Sequence, residues 1–387
     1  MFIAAMRPYE HFSQNVRCQN QINRPVLEIM GEINILDLDI PTESKALSSS
    51  GFLSPIAYLA SRLIFEYQNP KKMKLHTYLL LLSGILVSAC SSPKNNSVES
   101  VKQTIAAEIT HSFFIAGPDF TGILGESGEI IWDAERPSAR DGYVLDNGHV
   151  LICWSEEVLE FDKDKKVVFR YEKSALNKEL GTTVRLDNGN TLITELGDKP
   201  RILEVNQAGE IAVEVPLQPE TDNAHMQTRM ARKLANGNYL VPHLLAFAVK
   251  EYSSSGEVLQ TFRTDLPELG GREARNWPFT AIRLANGNTL INLTNGNKTV
   301  EVDATGKVVW KVSNEDFAGT LFQDPCGAQR LPNGNTVIAS YGAKEGIKLF
   351  ELTPDKEMVW KYEGVNRVHH FQVLTTNGVA LKGTPLK

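Results

Sequence analysis

The sequence has 387 residues, enough for two ordinary domains or for one repeat array. Hydrophobic residues make up 42% and charged residues 22%, which argues against a disordered chain, a collagen-like fibre and a polytopic membrane protein. The formal net charge is −6 and no block of lysine and arginine occurs, so we expect no nucleic acid partner. The four cysteines have neither CxxC spacing nor the density of a disulfide scaffold, so we expect no metal site and no cysteine framework.

A secretory signal lies inside the chain, around Met73. The basic residues of Lys71-Lys72-Met73-Lys74 precede an apolar run over residues 79–86, in the order typical of a signal peptide. The run ends in Val87-Ser88-Ala89-Cys90, which resembles the lipobox of bacterial lipoproteins, whose cysteine is diacylated. We therefore expect a lipid on Cys90 that anchors the protein to a membrane. A buried helix or one membrane span is the alternative, but the run is shorter than the roughly 20 apolar residues that a span requires.

The position of this signal predicts four segments. We expect translation to start at Met73, so that residues 1–72 are an over-extended gene reading; a genuine, poorly structured extension is the alternative. Residues 73–89 are then the signal peptide, 90–110 a flexible tether and 111–387 the folded domain. Ser91 after the cysteine resembles the sorting context for the outer membrane. We therefore expect the protein in the cell envelope, with the periplasmic face favoured over the cell surface.

An Asn-Gly pair between apolar, alternating residues recurs six times from about residue 110 onwards. One copy reads Leu186-Asp187-Asn188-Gly189-Asn190-Thr191-Leu192-Ile193. The glycines of the six copies are Gly148, Gly189, Gly237, Gly287, Gly334 and Gly378. Asn-Gly in this setting indicates a tight β-hairpin, because both residues tolerate the positive φ of a type I′ turn. The sequence therefore predicts six hairpins with such turns.

A second turn, followed by a short apolar strand, also occurs six times, as in Glu301-Val302-Asp303-Ala304-Thr305-Gly306-Lys307-Val308-Val309-Trp310. Each repeat then holds four short strands with a period of 2, which is typical of a β-propeller blade. The second marker occurs first, at Gly128, and the Asn-Gly marker occurs last, so the chain begins and ends in mid-blade. We predict an all-β, six-bladed propeller, closed by pairing the strands of residues 112–132 with those of residues 371–381. Seven blades are the alternative, because residues 113–115 and 379–381 compete for one strand position.

The segment 301–310 resembles the blade repeat of the pyrroloquinoline-quinone-like propeller family, in which an Asp-x-x-x-Gly-Lys turn precedes a tryptophan that docks on the neighbouring blade. Trp132, Trp310 and Trp360 occupy that position, whereas Gln260 departs from it. The Leu-x-Asn-Gly-Asn-Thr-Leu-Ile half is similar to bacterial arylsulfotransferases, six-bladed periplasmic enzymes with a histidine nucleophile. The resemblance implies pyrroloquinoline quinone as a candidate cofactor.

Residues just before the Leu-x-Asn-Gly turn are predicted ligand contacts, because the loop that leads into each innermost strand of a propeller opens at the central channel. Five positions before each leucine the residues are unlike one another and often polar, whereas three positions before it they are mostly small. The candidate ligand-binding residues in and around the first row are Arg140, His225, Arg229, Arg275, Trp277, Asp324, His369 and His370. Arginine forks, histidines and an aromatic ring suit a sulfated or carboxylated sugar, or a quinone. A solvated loop charge is the alternative for each arginine, and a satisfied core histidine for the histidine pair.

Three functions are compatible with this pattern. The first is a lipid-anchored propeller that binds a small anionic ligand or a glycan without turnover. The second is an enzyme that uses the same face, either quinone-dependent or arylsulfotransferase-like; the sequence identifies no catalytic residue. The third is a scaffold for envelope assembly that contacts a protein partner through its blade edges. Arginine and histidine concentrate at the predicted channel mouth of an otherwise acidic chain, and this contrast favours an anionic ligand there.

Overall fold

The computed structural model describes residues 108–387, so the predicted signal, Cys90 and most of the tether lie outside the described residues. This part of the chain consists of β-strands and four short 3-10 turns. The strands are β1 (His111–Ala116), β2 (Thr121–Leu124), β3 (Ile130–Asp133), β4 (Asp141–Val144), β5 (Val150–Cys153), β6 (Glu157–Phe161), β7 (Val167–Glu172), β8 (Asn177–Arg185), β9 (Thr191–Gly197), β10 (Arg201–Val205), β11 (Ile211–Pro216), β12 (Arg232–Lys233), β13 (Tyr239–His243), β14 (Ala248–Tyr252), β15 (Val258–Arg263), β16 (Asn276–Arg283), β17 (Thr289–Asn295), β18 (Lys298–Val302), β19 (Val308–Ser313), β20 (Pro325–Arg330), β21 (Thr336–Ser340), β22 (Leu349–Leu352), β23 (Met358–Tyr362), β24 (His370–Thr376) and β25 (Val379–Ala380). The 3-10 turns are Ala224–Met226, Pro267–Leu269, Arg272–Ala274 and Asn314–Asp316. Within residues 108–387, no helix is long and apolar enough to cross a membrane.

The strands form six antiparallel sheets, and each sheet is one blade of a six-bladed β-propeller. Blade 1 comprises β4–β7, blade 2 β8–β11, blade 3 β12–β15, blade 4 β16–β19, blade 5 β20–β23, and blade 6 comprises β24, β25 and β1–β3. In blades 1 to 5 the strand that precedes the Asn-Gly turn is innermost, whereas in blade 6 the two-residue strand β25 lies beyond β24 at the inner edge of the sheet. The predicted fold class is confirmed.

Blade 6 closes the ring by pairing the two ends of the domain. β24 pairs with β1 in the register Ile115 with Phe371 and Ala116 with His370. β25 pairs with the opposite edge of β24, so that Ala380 faces Thr375. Residues 113–115 and 379–381 therefore do not compete for one position, and the seven-bladed alternative is wrong.

Five of the six Asn-Gly turns differ from the predicted type I′ geometry. In these five turns the glycine has a positive φ, +86° at Gly287, but the asparagine before it does not. The Gly287 amide donates to the carbonyl of Leu284 at 3.0 Å, and the side chain of Asn286 accepts from the amide of Asn288 at 3.0 Å. This is a type I turn with a glycine bulge. Asn377 and Gly378 differ from the other five pairs, because both have positive φ, +50° and +75°.

A glutamate in the third strand of blades 1 to 5 accepts a hydrogen bond from the residue after the glycine, which is the second asparagine of the repeat in blades 2 to 5. The sequence analysis did not identify this role of the glutamate. Glu251 accepts from Nδ2 of Asn238 at 2.7 Å in its own blade and from Nη2 of Arg283 in the next blade at 3.0 Å. The glutamates in this position are Glu160, Glu204, Glu251, Glu301 and Glu351, and their partners on the next blade are Arg185, Lys233, Arg283, Arg330 and His111. Blade 6 has Ile123 there, which packs in an apolar cluster. Each carboxylate thus ties its own Asn-Gly turn to the neighbouring blade.

The outermost strands supply a second contact between blades. The indole N–H of Trp310 donates to the carbonyl of Pro354 in blade 5 at 3.0 Å. Gln260, which replaces the tryptophan in blade 3, donates to the carbonyl of the equivalent turn residue in blade 4 at 2.6 Å. Trp132 and Trp360 pack against aromatic rings of the following blades. The predicted docking role of the tryptophans is confirmed, and glutamine preserves its hydrogen bond.

Candidate functional site

The beginnings of the six inner strands meet at one end of the channel, which we call the mouth. The Asn-Gly turns lie at the other end. One residue from each blade defines the mouth, namely Arg140, Glu179, Arg229, Phe279, Tyr341 and His369. Arg140, Arg229, Phe279 and His369 each lie five positions before the leucine of their own repeat. Equivalent positions of the repeat reach the same height in the channel, which explains why residues far apart in the chain converge here.

Glu179 of β8 is the carboxylate at the centre of the charged part of the mouth. Arg140 binds it with both terminal nitrogens, Nη1 at 2.6 Å from Oε1 and Nη2 at 2.9 Å from Oε2. Arg229 Nη2 and His225 Nδ1 lie 3.5 Å and 3.4 Å from Oε1. Burial alone would raise the pKa of the Glu179 carboxyl, but hydrogen bonds from His225 and Arg140 and the charge of Arg229 lower it to about 2. Glu179 is therefore ionised at every physiological pH.

Arg229 is the most deeply buried cation of the mouth, with 2% of the residue exposed. It donates to the carbonyl of Thr228 at 2.6 Å and to that of His225. Burial, together with the charge of Arg140, lowers the pKa of the Arg229 guanidinium to about 10. It remains charged at neutral pH, so the mouth has two guanidinium groups for one carboxylate.

An aromatic wall faces these charges. The ring of His369 lies edge-on to Phe279, with centroids 4.9 Å apart, and edge-on to Tyr341 at 5.3 Å. Its Nδ1 lies 3.0 Å from the carbonyl of Arg140, which can only accept, so Nδ1 carries the proton. Burial and the charge of Arg229 lower the pKa of His369 to about 3. His369 is therefore a neutral imidazole whose Nε2 is an acceptor.

Trp277 adds a donor next to this wall. Its ring packs on a cluster of buried side chains that includes Met230, Phe279 and Cys326. The indole Nε1 is buried and has no hydrogen-bond partner among the residues that the structure describes. A buried N–H without a partner is costly, so this atom is suited to a ligand acceptor or a bound water.

The other predicted site residues lie at the rim or have structural contacts. His225 is largely exposed above Glu179. Arg275 is exposed and closes a 3-10 turn with a φ of +50°. Asp324 accepts from the amide of Asn295 at 3.1 Å, and this hydrogen bond connects the loops of blades 4 and 5. It is less available to a ligand than the sequence suggests.

His370 is placed differently from the prediction. The sequence predicts it at the mouth beside His369, but its side chain is fully buried one layer deeper in the channel. Its Nε2 lies 3.2 Å from a carboxylate oxygen of Asp141 and 2.8 Å from Nζ of Lys387. Successive residues of a strand point in opposite directions, which separates the two histidines.

Glu179 and Tyr341 are mouth residues that the sequence reasoning missed. Glu179 precedes Gly181, the member of the row in blade 2, by two residues and therefore lies on the same face of the strand. Tyr341 follows β21, the second strand of its blade. Because second strands run antiparallel to inner strands, their last residues lie at the mouth too, and this rule could have found Tyr341.

Residues 119–331 match the family model described as Mal s 1 allergenic protein-like, which covers more than half of the chain. The chain belongs to the Mal s 1-like family. The match does not confirm the resemblance of the repeats to the pyrroloquinoline-quinone-like and arylsulfotransferase families, which stays a prediction. A search of curated proteins finds no match for this Mal s 1-like chain.

Solved structures share the propeller of this Mal s 1-like protein. A crystal structure of a protein of unknown function from Bacteroides caccae superposes with a TM-score of 0.59 at 21% identity, over 68% of this chain and 98% of that one. Virginiamycin B lyase from Staphylococcus aureus gives a TM-score of 0.43 at 14% identity, over 58% of this chain and 69% of that chain. A streptogramin B lyase gives 0.48 at 14% identity, over 67% and 85%. At 21% identity the likeness to the Bacteroides caccae protein concerns the fold alone.

Proposed function

We propose that this protein binds a small anionic ligand at the mouth of its channel and does so in the cell envelope. The observation that carries the proposal is the convergence of Arg140 and Arg229 on the single carboxylate of Glu179. Because Arg229 is almost fully buried, water screens its charge poorly. A carboxylate or sulfate of a ligand would supply the missing negative charge through charge-assisted hydrogen bonds.

The aromatic wall indicates that the ligand also has a flat or ring-shaped part. Phe279, Tyr341 and His369 offer ring faces and edges next to the arginines. Trp277 would donate its unpartnered N–H to an ether, hydroxyl or carbonyl oxygen. Aromatic carboxylates and sulfates and sugar acids have this chemistry. Pyrroloquinoline quinone, a flat tricarboxylate, belongs to the same chemical class and is one candidate among them.

Calorimetric titration of residues 108–387 with benzoate, 4-nitrophenyl sulfate, glucuronate and pyrroloquinoline quinone tests this proposal. We expect at least one of these anions to bind, and its matched neutral analogue, such as benzyl alcohol for benzoate, to bind at least tenfold more weakly. Arg229→Met should weaken the binding of that anion at least tenfold, because it removes one charge-assisted contact.

Arg170→Met is the matched control, since this arginine is exposed on the outer strand of blade 1. It should leave the affinity unchanged. Equal binding of the anion and its neutral analogue, or no binding of all four anions at millimolar concentration, contradicts the proposal.

The neutral imidazole of His369 favours one second candidate, an arylsulfotransferase-like reaction. With Nδ1 donating to the Arg140 carbonyl, the lone pair of Nε2 is available for attack. In such a reaction Nε2 forms a bond to sulfur while the bond from sulfur to the phenol oxygen breaks. A second phenol then takes the sulfuryl group from the histidine.

Release of 4-nitrophenol from 4-nitrophenyl sulfate, with phenol as acceptor, distinguishes this enzyme from a binding protein. Turnover that His369→Ala abolishes and His225→Ala retains supports the enzyme. Binding of the probe without release of 4-nitrophenol supports the binding protein.

The envelope location rests on the lipobox-like segment that ends at Cys90. Mass spectrometry of the protein from bacterial membranes tests it. We expect an N-terminal peptide that begins at a diacylated Cys90, and Cys90→Ala should move the protein out of the membrane fraction. An unmodified Cys90 in a chain that starts upstream contradicts this part of the proposal.

A further inference from the structure

The opposite end of the channel is occupied by the chain itself. After β25, residues 381–387 cross the face of the Asn-Gly turns and turn into the channel. The carbonyl of Leu386 accepts from the amide of Arg330 on inner strand β20 at 2.8 Å. The segment ends in Lys387, of which only 2% is exposed, whereas Lys382 at its start lies in solvent. We call residues 384–387 the plug.

Lys387 lies in a site built from four kinds of group, three around its amine and one at its main chain. Nζ donates to the carbonyl of Gly142 and lies 2.8 Å from Nε2 of His370. It also stands 3.6 Å from the centre of the Tyr143 ring, within the range of a cation–π contact. A main-chain oxygen of Lys387 accepts from Nε of Arg232 at 2.7 Å. Both the side chain and the main chain of the plug are thus recognised.

A buried carboxylate organises this site. Asp141 is fully buried and lies 3.1 Å from Nη1 of Arg232 and 3.2 Å from Nε2 of His370. It also accepts from the amide of Thr183 at 3.1 Å. Asp141 therefore holds the two side chains that contact Lys387. Burial and the charge of Arg232 lower the pKa of the Lys387 amine well below its usual value, and the Gly142 carbonyl accepts one of its hydrogens.

We propose that the lower channel is a binding site for a primary amine on a peptide, and that the plug occupies it as an internal ligand that closes the channel below the mouth. Two residues of the amine site directly follow residues of the mouth in the sequence: Asp141 follows Arg140, and His370 follows His369. The hydrogen bond from His369 Nδ1 to the Arg140 carbonyl joins the same two strand starts. This inference does not depend on the nature of the ligand at the mouth.

Competitive acetylation of the full chain tests the burial of the amine. The folded protein is treated briefly with acetic anhydride, and mass spectrometry compares Lys387 with the exposed Lys382 of the same segment. We expect Lys387 to react at least tenfold more slowly than Lys382 in the folded protein and at the same rate in denaturant. Equal rates in the folded protein overturn the proposal.

Peptide binding tests the recognition itself. A chain that lacks residues 384–387 should bind the amidated peptide Gly-Thr-Pro-Leu-Lys, and the full chain should not, because its site is filled. The peptide Gly-Thr-Pro-Leu-Met should bind at least tenfold more weakly. Equal affinity for the two peptides, or no binding of the lysine peptide to a folded shortened chain, overturns the amine site.

A full-length variant serves if the shortened chain does not fold. Lys387→Met keeps the length of the plug but removes the amine, so we expect the Arg330 amide, which donates to Leu386, to exchange its hydrogen at least tenfold faster. Lys344→Met, on the surface of blade 5, is the control. Unchanged exchange at Arg330 in Lys387→Met contradicts a role of the amine in holding the plug.

Discussion

His111 and Glu351 form a buried hydrogen bond where the two ends of the domain meet, with Nε2 2.7 Å from Oε2. Four other interfaces have arginine or lysine in the place of this histidine. Nδ1 of His111 lies 3.3 Å from the carbonyl of Thr375. A carboxylate accepts, so Nε2 of His111 carries a proton, and the hydroxyl of Thr376 lies 3.0 Å from Nδ1. The closing interface is therefore the one of the five at which an imidazole, and not a guanidinium or an amine, meets the glutamate.

Removing this histidine should destabilise the protein more than removing a histidine elsewhere in the ring. His111→Ala leaves the Glu351 carboxylate buried without this hydrogen-bond donor, which costs about 2 kcal/mol. His149→Ala is the control, because Glu160 keeps its bond to Arg185 and His149 is partly exposed, so we expect a loss of about 1 kcal/mol or less. Urea unfolding measures both. Equal losses would contradict a special role of the closing interface.

Protonation of Glu195 should contribute to the loss of stability in acid. Burial alone would raise the pKa of this carboxyl, but hydrogen bonds from Tyr171, Asn177 and Ser174 lower it to about 2 in the folded chain. A carboxyl with a depressed folded pKa stabilises the fold above its unfolded pKa, and the contribution disappears as the pH falls through the folded value. We therefore expect stability to decline from about pH 5 towards pH 2.

The variant Glu195→Gln isolates this contribution. It should lower stability at neutral pH and flatten the acid decline, since glutamine does not titrate. Glu363→Gln is the control, because Glu363 is exposed. Urea midpoints measured across this pH range compare the two. An acid decline of unchanged slope in Glu195→Gln would show that other groups are responsible.

The turn geometry predicts unequal effects within one Asn-Gly pair. A Cβ at Gly287 would meet no atom within 4 Å, so Gly287→Ala introduces no clash. Its only cost is the backbone strain of an alanine at a φ of +86°, about 1 kcal/mol. Asn286 has no positive φ, so Asn286→Ala loses only hydrogen bonds at the exposed turn, from the amide of Asn288 and, at 3.4 Å, to Glu301, about 0.5 kcal/mol. Thermal unfolding measures both. Equal costs, with both residues strained, would indicate the type I′ turn that the sequence alone predicts.

The sequence predicts the propeller well because the repeat is local. Hairpin turns, strand period and the mid-blade ends are all visible in short segments, and together they determine six blades and the closing pair of β1 and β24. The type I′ prediction is wrong for five turns, because Asn-Gly also fits a bulged type I turn. The choice between them depends on contacts such as that of Asn238 with Glu251, which lies 13 residues further on.

The site is only partly predictable, because its partners come from different blades. Position within the repeat identifies Arg140, Arg229 and His369, since equivalent residues reach the same height in the channel. It does not show that Glu179 pairs with the arginines or that the plug buries His370. These contacts depend on which residues face each other across the channel, and the spacing along the chain contains no such information.

The charges of the mouth predict that anion binding is independent of pH over a wide range. The pKa of His369 is about 3, that of Glu179 about 2 and that of Arg229 about 10, so none of them titrates between about pH 4 and pH 9. 4-Nitrophenyl sulfate stays ionised over this range and is the appropriate probe. In His225→Ala, which removes the exposed histidine at the rim of the mouth, its affinity should be constant there and should fall above about pH 10, as Arg229 loses its proton. In Arg229→Met, whose affinity is lower throughout, the fall at high pH should disappear. In His225→Ala, a transition between about pH 6 and pH 7, where an unperturbed histidine titrates, would contradict the neutral His369 and the permanent charge of Glu179 and Arg229.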